Sequence, residues 1–245
     1  MVPALNVGLE FGMAEIKVLT PGMFRGVFPT LVPQFEQTSG HTVALTTVTP
    51  GIVKQKLLGG ENPDVAFAVD HQMKDLEQAG RVLASGCTEI GRVFVAAAIR
   101  TGAPKLDLSS TDSVKREIRA AKAVAINDPK GGSNIGCYMM ELADRFSFDD
   151  ELRSRFKLIP GSGDKTSEAV ARGEADFGFT ISSEIIVVKG AEISGPLPPE
   201  MNSTFVTYGF LVPGTKQAEA GKAFIKFMVS PEAKALLKLQ GIEPS

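Results

Sequence analysis

The run Val65-Ala66-Phe67-Ala68-Val69-Asp70-His71 carries more information about the fold than any other part of the sequence. Its first five residues are all apolar and include two valines and a phenylalanine. They predict a short strand that is buried on both faces, as in the sheets of α/β proteins. Polar residues follow where the strand ends, and helical spacing continues over residues 73–79 until Gly80 stops it. The pattern is strand, polar loop, helix.

The same alternation extends in both directions from this run. Strands are predicted at residues 16–19, 41–45, 92–99, 123–126, 177–180 and 205–212. Helices are predicted at residues 28–35, 52–58, 113–121, 138–146, 167–171, 218–228 and 231–239. Strands that alternate with helices indicate the α/β class and favour a mainly parallel sheet covered on both faces.

Charge and composition exclude several classes of protein. The formal net charge is -2, so no global positive field attracts nucleic acid or acidic lipid. No run of about 18 apolar residues occurs, which argues against a membrane-spanning helix. The two histidines, His41 and His71, lie far from any cysteine cluster, so no metal site is predicted. Cys87 and Cys137 are expected to be small buried residues, with pairing between them left open.

The first 14 residues are interpreted as a leader or vector-derived segment, with Met13-Ala14-Glu15 as a natural start. Residues 1–15 contain no Lys or Arg, so they lack the basic beginning of a secretory signal. A periplasmic protein with its signal already removed and a cytoplasmic protein both remain open.

Polar and small residues follow several predicted strands and lead into helices. Because the carboxyl ends of parallel strands meet at one edge of a sheet, these loops should form one anion-binding site with helix amides as donors. The candidate ligand-binding residues are Thr20, Pro21, Gly22, Met23, Arg25, Thr49, Pro50, Gly51, Asp70, His71, Gly131, Gly132, Ser133, Gly163, Asp164, Thr180 and Ser182. Each loop alone could equally be an ordinary helix cap or turn.

If the protein is an enzyme, the expected reaction is proton transfer at the carbon next to a carboxylate. His71 is the candidate acid or base because its charge changes near neutral pH, with Lys130 or Lys165 as substitutes. An exposed loop histidine is the alternative interpretation. Asp70 is expected to cap the helix that follows it. No serine triad, Cys–His pair or carboxylate dyad emerges from spacing, and the glycines before Ser133 lack the spacing of a nucleotide-binding loop.

Five segments together resemble a known family. They are residues 16–25, 35–43, 60–70, the Ala171-Arg172-Gly173-Glu174-Ala175-Asp176-Phe177-Gly178 element, and residues 223–233. Their order and spacing are similar to those of the periplasmic molybdate-type substrate-binding proteins. The resemblance implies a class II periplasmic-binding-protein fold, with two Rossmann-like lobes and a hinge of two crossover strands near residues 92–100 and 205–212. Residues 15–95 and 208–245 would form lobe 1, and residues 96–207 lobe 2.

Departures from the family pattern affect the expected ligand. The loop Thr20-Pro21-Gly22-Met23 has no serine, Thr49-Pro50-Gly51 replaces a serine-rich loop, and Ile181 stands where the family has tyrosine. These changes remove side-chain donors that a tetrahedral oxyanion needs. The opening segment, residues 15–20, and the Ser183-Glu184 pair are similar to a branch that includes aconitate isomerase-like proteins.

The resemblance therefore implies three functions in order of preference. The first is binding of a small oxyanion or organic carboxylate in an interlobe cleft, as the monomeric solute-binding component of an ABC-type importer. The second is a cofactor-free isomerase of the aconitate type, and the third is molybdate or tungstate binding. A ligand-sensing domain is least favoured.

Overall fold

One long strand joins two groups of strands in the computed structural model, which describes residues 13–83, 86–131, 133–201 and 204–245. This strand is β4, Cys87–Arg100. Its first half pairs with β9, Thr204–Leu211, and its second half pairs with β7 and β8. The two groups are called the first and second sheets below.

The first sheet has the order β2-β1-β3-β9-β4. Its remaining strands are β1, Glu15–Pro21, β2, Thr42–Val48, β3, Val65–Val69, and β10, Glu243–Pro244. The second sheet continues from β4 through β7, β5 and β6, with β8 also on β4. These strands are β5, Val124–Asn127, β6, Phe156–Ile159, β7, Phe177–Ile181, and β8, Ala191–Pro196.

Helices connect the strands of both sheets. In the first half they are α1, Phe28–Ser39, α2, Pro50–Leu58, α3, Asp70–Gln78, α4, Thr111–Ala120, and α5, Asn134–Arg145. In the second half they are α6, Asp150–Ser154, α7, Gly163–Ala171, α8, Ser182–Ile186, α9, Ala218–Met228, and α10, Pro231–Leu239. Two 3-10 turns, Gly22–Phe24 and Pro129–Gly131, follow β1 and β5.

Local sequence accounts for where α1 begins and ends. It has a proline in its first turn, where the missing amide hydrogen costs no helical bond. It ends at Gly40, whose φ of +74° lies in the left-handed region that glycine adopts without strain. The helix buries Phe28, Leu31 and Phe35.

An aromatic cluster forms the core beneath the first sheet. Phe67 of β3 contacts Phe24, Phe28 and Phe224, with ring centroids 5.3, 6.0 and 6.3 Å away. All five residues of β3 are buried, as the apolar run predicts, and so are all five of β7. These two strands hold the loops after them in fixed positions at the sheet edges.

The α/β class is confirmed, because strands and helices alternate through the described chain. The expectation of a mainly parallel sheet is wrong for the described strands. Four of their pairings are parallel and five are antiparallel, because β4, β9 and β10 run against their neighbours. The division into lobes at residues 95 and 207 stays a prediction. Residues 1–12 of the interpreted leader lie outside the described residues.

The expectation that both cysteines are buried is also wrong. Cys137 is exposed on α5 and Cys87 is only partly buried at the start of β4, and the two thiols are free. Burial and the negative charge of Glu77 raise the pKa of the Cys87 thiol. No described helix has the length and apolar character required to cross a membrane.

Candidate functional site

A cleft that is partly open to solvent lies between the two sheets, and the space free of protein atoms in and around its opening is about 490 Å³. The first sheet and its loops contribute Pro21, Gly22, Met23, Val48, Thr49, Pro50 and Val69. The second sheet and its helices contribute Ser133, Asn134, Ile135, Ser162, Gly163, Ile181 and Glu184. Val93 and Phe205 come from the crossover strands β4 and β9. The lining is mostly apolar, with polar groups at a few points.

Three of the helices that begin at this cleft have polar N-caps. Thr49, Ser133 and Ser162 are the N-caps of α2, α5 and α7, and all three line the cleft. The first turn of a helix carries backbone N–H groups without intrahelical partners and the positive end of the helix dipole. The three starts come from both sheets, so amide donors face the cleft from opposite sides.

Glu184 of α8 is the buried carboxyl group in the wall of the cleft. Its relative exposure is 8%, and the Thr180 hydroxyl donates to its Oε2 across 3.4 Å. A Cβ at Gly163 would lie only 1.9 Å from Oε2, and one at Gly22 would lie 2.9 Å from Oε1. The two glycines therefore leave the space that this carboxyl group occupies.

The pKa of Glu184 is raised to about 7. Burial is the main cause, because it removes water from the charged form, and the negative charge of Asp164 adds to the effect. Arg25, the Gly163 amide and the Thr180 hydroxyl act in the opposite direction. Near neutral pH the group therefore exchanges between an acid that donates a hydrogen bond and a base that accepts a proton.

An ion pair crosses the cleft beside Glu184. Arg25 follows the first 3-10 turn, and its Nη1 lies 2.8 Å from Oδ2 of Asp164 on α7. The Ser162 hydroxyl donates to the other oxygen of Asp164, and Lys165 Nζ lies 3.8 Å from Oδ2. The Asp164 side chain is 10% exposed, whereas that of Arg25 is 43% exposed. Neither side chain belongs to the cleft lining, but Arg25 Nη2 would lie 3.7 Å from a Cβ at Gly22, which does.

A second contact joins a loop of the first sheet to a loop of the second. The Thr49 hydroxyl donates to the carbonyl oxygen of Gly131 across 3.4 Å. Thr49 precedes α2, and Gly131 ends the second 3-10 turn. Together with the Arg25–Asp164 pair, this contact brings the loops of the two sheets together around one cavity.

The model of the bacterial extracellular solute-binding protein family matches residues 16–243. The chain belongs to this family. Aconitate isomerase of Pseudomonas sp. is 28% identical over 238 residues, which cover 95% of this chain and 88% of that protein.

Solved structures of solute-binding proteins share the fold of this one. The periplasmic molybdate-binding protein of Azotobacter vinelandii has a TM-score of 0.71 at 21% identity, covering 94% of this chain and 99% of that one. The sulfate-binding protein of Mycobacterium tuberculosis has a TM-score of 0.76 at 18% identity, covering 94% and 87% of the two chains. At these identities the likeness shows the fold alone, and it confirms the expected class II periplasmic-binding-protein fold.

Seven of the residues expected from the sequence line the cleft of this solute-binding protein. They are Pro21, Gly22, Met23, Thr49, Pro50, Ser133 and Gly163. Arg25 and Asp164 form the ion pair at its side, and Gly131 accepts the hydrogen bond from Thr49. Gly132 lies outside the described residues.

Other predicted residues lie behind the lining. Thr20 is fully buried and its hydroxyl donates to the Pro21 carbonyl. Ser182 is also fully buried and donates to the Gly241 carbonyl across 2.6 Å. Thr180 contacts Glu184, and Gly51 is the second residue of α2. These residues hold the backbone around the cleft.

Asp70 and His71 lie at the start of α3, on its exposed side. The expectation that Asp70 caps α3 is wrong, because Val69 is the N-cap and Asp70 is the first residue of the helix. The Asp70 carboxylate accepts a hydrogen bond from the His71 amide across 2.8 Å. The His71 side chain is 48% exposed and its ring meets the edge of Phe205 at 6.0 Å. Neither residue is among those that line the cleft.

Glu184 is the main residue that sequence reasoning missed as part of the site. The signal was present, since a carboxylate in the first turn of a helix follows the buried strand β7. The rule that selected the other strand-end loops applies equally here. Asn134 and Phe205 were missed as well. Among the described residues, no group of three or more His, Cys, Asp and Glu is placed to hold a metal ion.

Proposed function

We propose that this chain binds a small organic carboxylate in the cleft and serves as the solute-binding component of an ABC-type importer. The observation that carries the proposal is the position of Arg25. Its guanidinium is outside the lining but lies next to it, because Nη2 would be 3.7 Å from a Cβ at Gly22 and its charge lowers the pKa of Glu184. The starts of α2, α5 and α7 converge on the same cleft. Arginine binds carboxylates through two parallel hydrogen bonds, and the helix amides favour negative charge.

The rest of the lining favours a carbon skeleton over molybdate or sulfate. Hydrophobic side chains of Val69, Val93, Ile181 and Phe205 face the cavity. They offer no hydrogen bonds to a compact tetrahedral dianion, which needs donors on every side. An organic acid places its carboxylates at the donors and its carbon atoms on the apolar wall.

Family membership supports the remaining parts of the proposal. The family consists of extracellular solute-binding proteins, which is consistent with a periplasmic location and with delivery to a membrane permease. The expected state is a monomer, because both walls of the cleft come from one chain.

Thermal unfolding with a panel of anions tests the proposal. The panel contains citrate, tricarballylate, cis- and trans-aconitate, molybdate and sulfate. A ligand present at 100 times its Kd stabilises the protein by about 2.7 kcal/mol, which raises the melting temperature by several degrees. The expected result is a shift with at least one organic carboxylate and none with the inorganic anions. A shift with molybdate or sulfate alone would contradict the proposal.

Isomerisation of aconitate is the second candidate function, and Glu184 is the observation that favours it. A buried carboxyl group with a pKa of about 7 is suited to both accept and donate a proton. The carboxylate would remove a proton from the CH₂ carbon of trans-aconitate, the double bond would move by one position, and the proton would return to the former CH carbon. The relative from Pseudomonas sp. is an aconitate isomerase.

Incubation with trans-aconitate separates the two functions. The appearance of cis-aconitate, with loss of turnover in Glu184→Gln, would support the isomerase. Binding of trans-aconitate with no cis isomer formed would support a plain binding protein.

A further inference from the structure

We propose that Glu184 binds the ligand as a protonated carboxylic acid, so that each organic carboxylate entering this cleft is accompanied by one proton. The proposal rests on the proposed function, because it requires a carboxylate ligand in the cleft. It adds a binding residue that the sequence analysis did not select and a coupling between affinity and pH.

The geometry places the carboxyl group where a ligand must meet it. Glu184 lines the cleft, although only 8% of its surface is accessible to solvent. Its two oxygens lie against Gly22 and Gly163, at the ends of the loops that frame the cavity. The hydrogen bond it receives from Thr180 is long, at 3.4 Å. The group is therefore held in place while it keeps hydrogen-bonding capacity for a ligand.

No cation in the described part of the chain is within 4.0 Å of Glu184 to neutralise it. Arg25, across the cleft, pairs with Asp164 instead. Asp164 faces Glu184 from α7 and opposes its ionisation, and Lys165 contacts Asp164 rather than Glu184. Thr180, on β7, is uncharged. A protonated Glu184 avoids a second buried negative charge in this arrangement.

Ligand binding strengthens this preference. A carboxylate in the cleft brings another negative charge close to Glu184. It also neutralises part of the Arg25 charge, which otherwise favours the ionised form of Glu184. Both effects raise the pKa of Glu184 above the value of about 7 in the unliganded protein. Above that pH the ligand must therefore bring a proton with it, either on its own carboxyl group or from solvent onto Glu184. In both cases one hydrogen bond joins Glu184 to the ligand and one proton is taken up per ligand bound.

Titration calorimetry with tricarballylate between pH 7 and pH 9 tests the proposal. This probe has three carboxylates and no double bond to isomerise, so binding is measured without turnover. For the unmodified protein, Kd should weaken by about tenfold per pH unit above pH 7, since one proton is linked to binding. Heats in two buffers of different ionisation enthalpy at pH 8 should show uptake of nearly one proton.

Glu184→Gln separates the role of the proton from the shape of the side chain. Glutamine keeps the size and a hydrogen-bond donor but has no charge to titrate. Its Kd should stay constant between pH 7 and pH 9 with no proton uptake. Glu219→Gln is the matched control, because it makes the same change on a side chain that is 75% exposed, and it should keep the pH dependence.

Two results would overturn the proposal in different ways. Binding of tricarballylate with no proton uptake and a flat pH profile in the unmodified protein would overturn this inference and leave the proposed function standing. No binding of any organic carboxylate would overturn both. The proton count on the unmodified protein decides the question even where the variant folds poorly.

Discussion

Arg25 and Asp164 are 139 residues apart in the chain, yet their side chains meet across the cleft with Nη1 and Oδ2 only 2.8 Å apart. The pair ties the loop after β1 to the first turn of α7. Asp164 is nearly buried, whereas Arg25 is 43% exposed and its Nη2 lies next to Gly22 of the cleft lining, so the guanidinium is the partner expected to meet a ligand. A carboxylate ligand would bind Arg25 either together with Asp164 or in its place.

Replacement of Arg25 by alanine is therefore expected to weaken carboxylate binding by ten- to hundredfold, since a charge-assisted hydrogen bond contributes about 1.5–3 kcal/mol. Lysine at this position should recover only part of the affinity, because it cannot form the bidentate pair. Arg116→Ala is the control, as Arg116 pairs with Asp107 at 2.7 Å on the exposed surface. Calorimetric Kd values that are equal for Arg25→Ala and Arg116→Ala would show that Arg25 does not bind ligand.

The raised pKa of Glu184 predicts a pH-dependent loss of stability. Its folded-state pKa of about 7 lies above the ordinary value of 4.5, so its favourable contribution is complete below pH 4.5 and is lost as the pH rises to about 7. The free energy of unfolding of Glu184→Gln, relative to the unmodified protein, should therefore increase over this range by on the order of 3 kcal/mol. Urea unfolding at pH 4.5, 6 and 8 measures the difference. A constant difference at the three pH values would argue against a buried, unpaired carboxyl group.

Gly163 is expected to tolerate no side chain. A Cβ there would lie 1.9 Å from the Glu184 carboxylate and 2.1 Å from the Thr180 hydroxyl. Gly163→Ala should therefore cost about 1–3 kcal/mol of stability and abolish binding, because both groups must move. Gly195→Ala, where the nearest atom lies 3.7 Å away, is the control and should leave stability nearly unchanged. Equal melting temperatures for the two variants would mean that the contact around Gly163 is looser than described.

His71 is expected to contribute little to ligand affinity. Its side chain is 48% exposed and does not line the cleft, although its ring lies 6.0 Å from that of Phe205, which does. His71→Ala should change the Kd for an organic carboxylate by less than twofold between pH 6 and pH 8. A tenfold loss would instead place the histidine at the ligand and restore it as a candidate acid or base.

Strands that are buried on both faces could be predicted from the sequence alone. β3 was predicted with its observed bounds, because a continuous apolar run has no other stable place in an α/β protein. β6 and β8 are mostly half-exposed and short, so they carry no such run and were missed. The first part of β4 was missed for the same reason, since residues 87–89 are only partly buried. A partly exposed strand has no continuous apolar run, so a method based on hydrophobic patterns does not predict it.

The candidate site was predicted as a set of loops but not as a chemical arrangement. Strand-end loops such as Thr49 to Gly51 follow from topology, and several of their residues line the cleft. The pairing of Arg25 with Asp164 depends on how the two sheets face each other, which spacing along the chain does not reveal. The room for Glu184 depends on two glycines 141 positions apart, Gly22 and Gly163, that meet at one carboxyl group.

A crystal structure of the protein with tricarballylate tests the central claim most directly. The ligand should lie between the two sheets, with one carboxylate within hydrogen-bond distance of Arg25 and another accepting from Glu184 and the first amides of α7. Electron density for the ligand on another surface, with the cleft between Gly22 and Gly163 filled by solvent alone, would contradict the account.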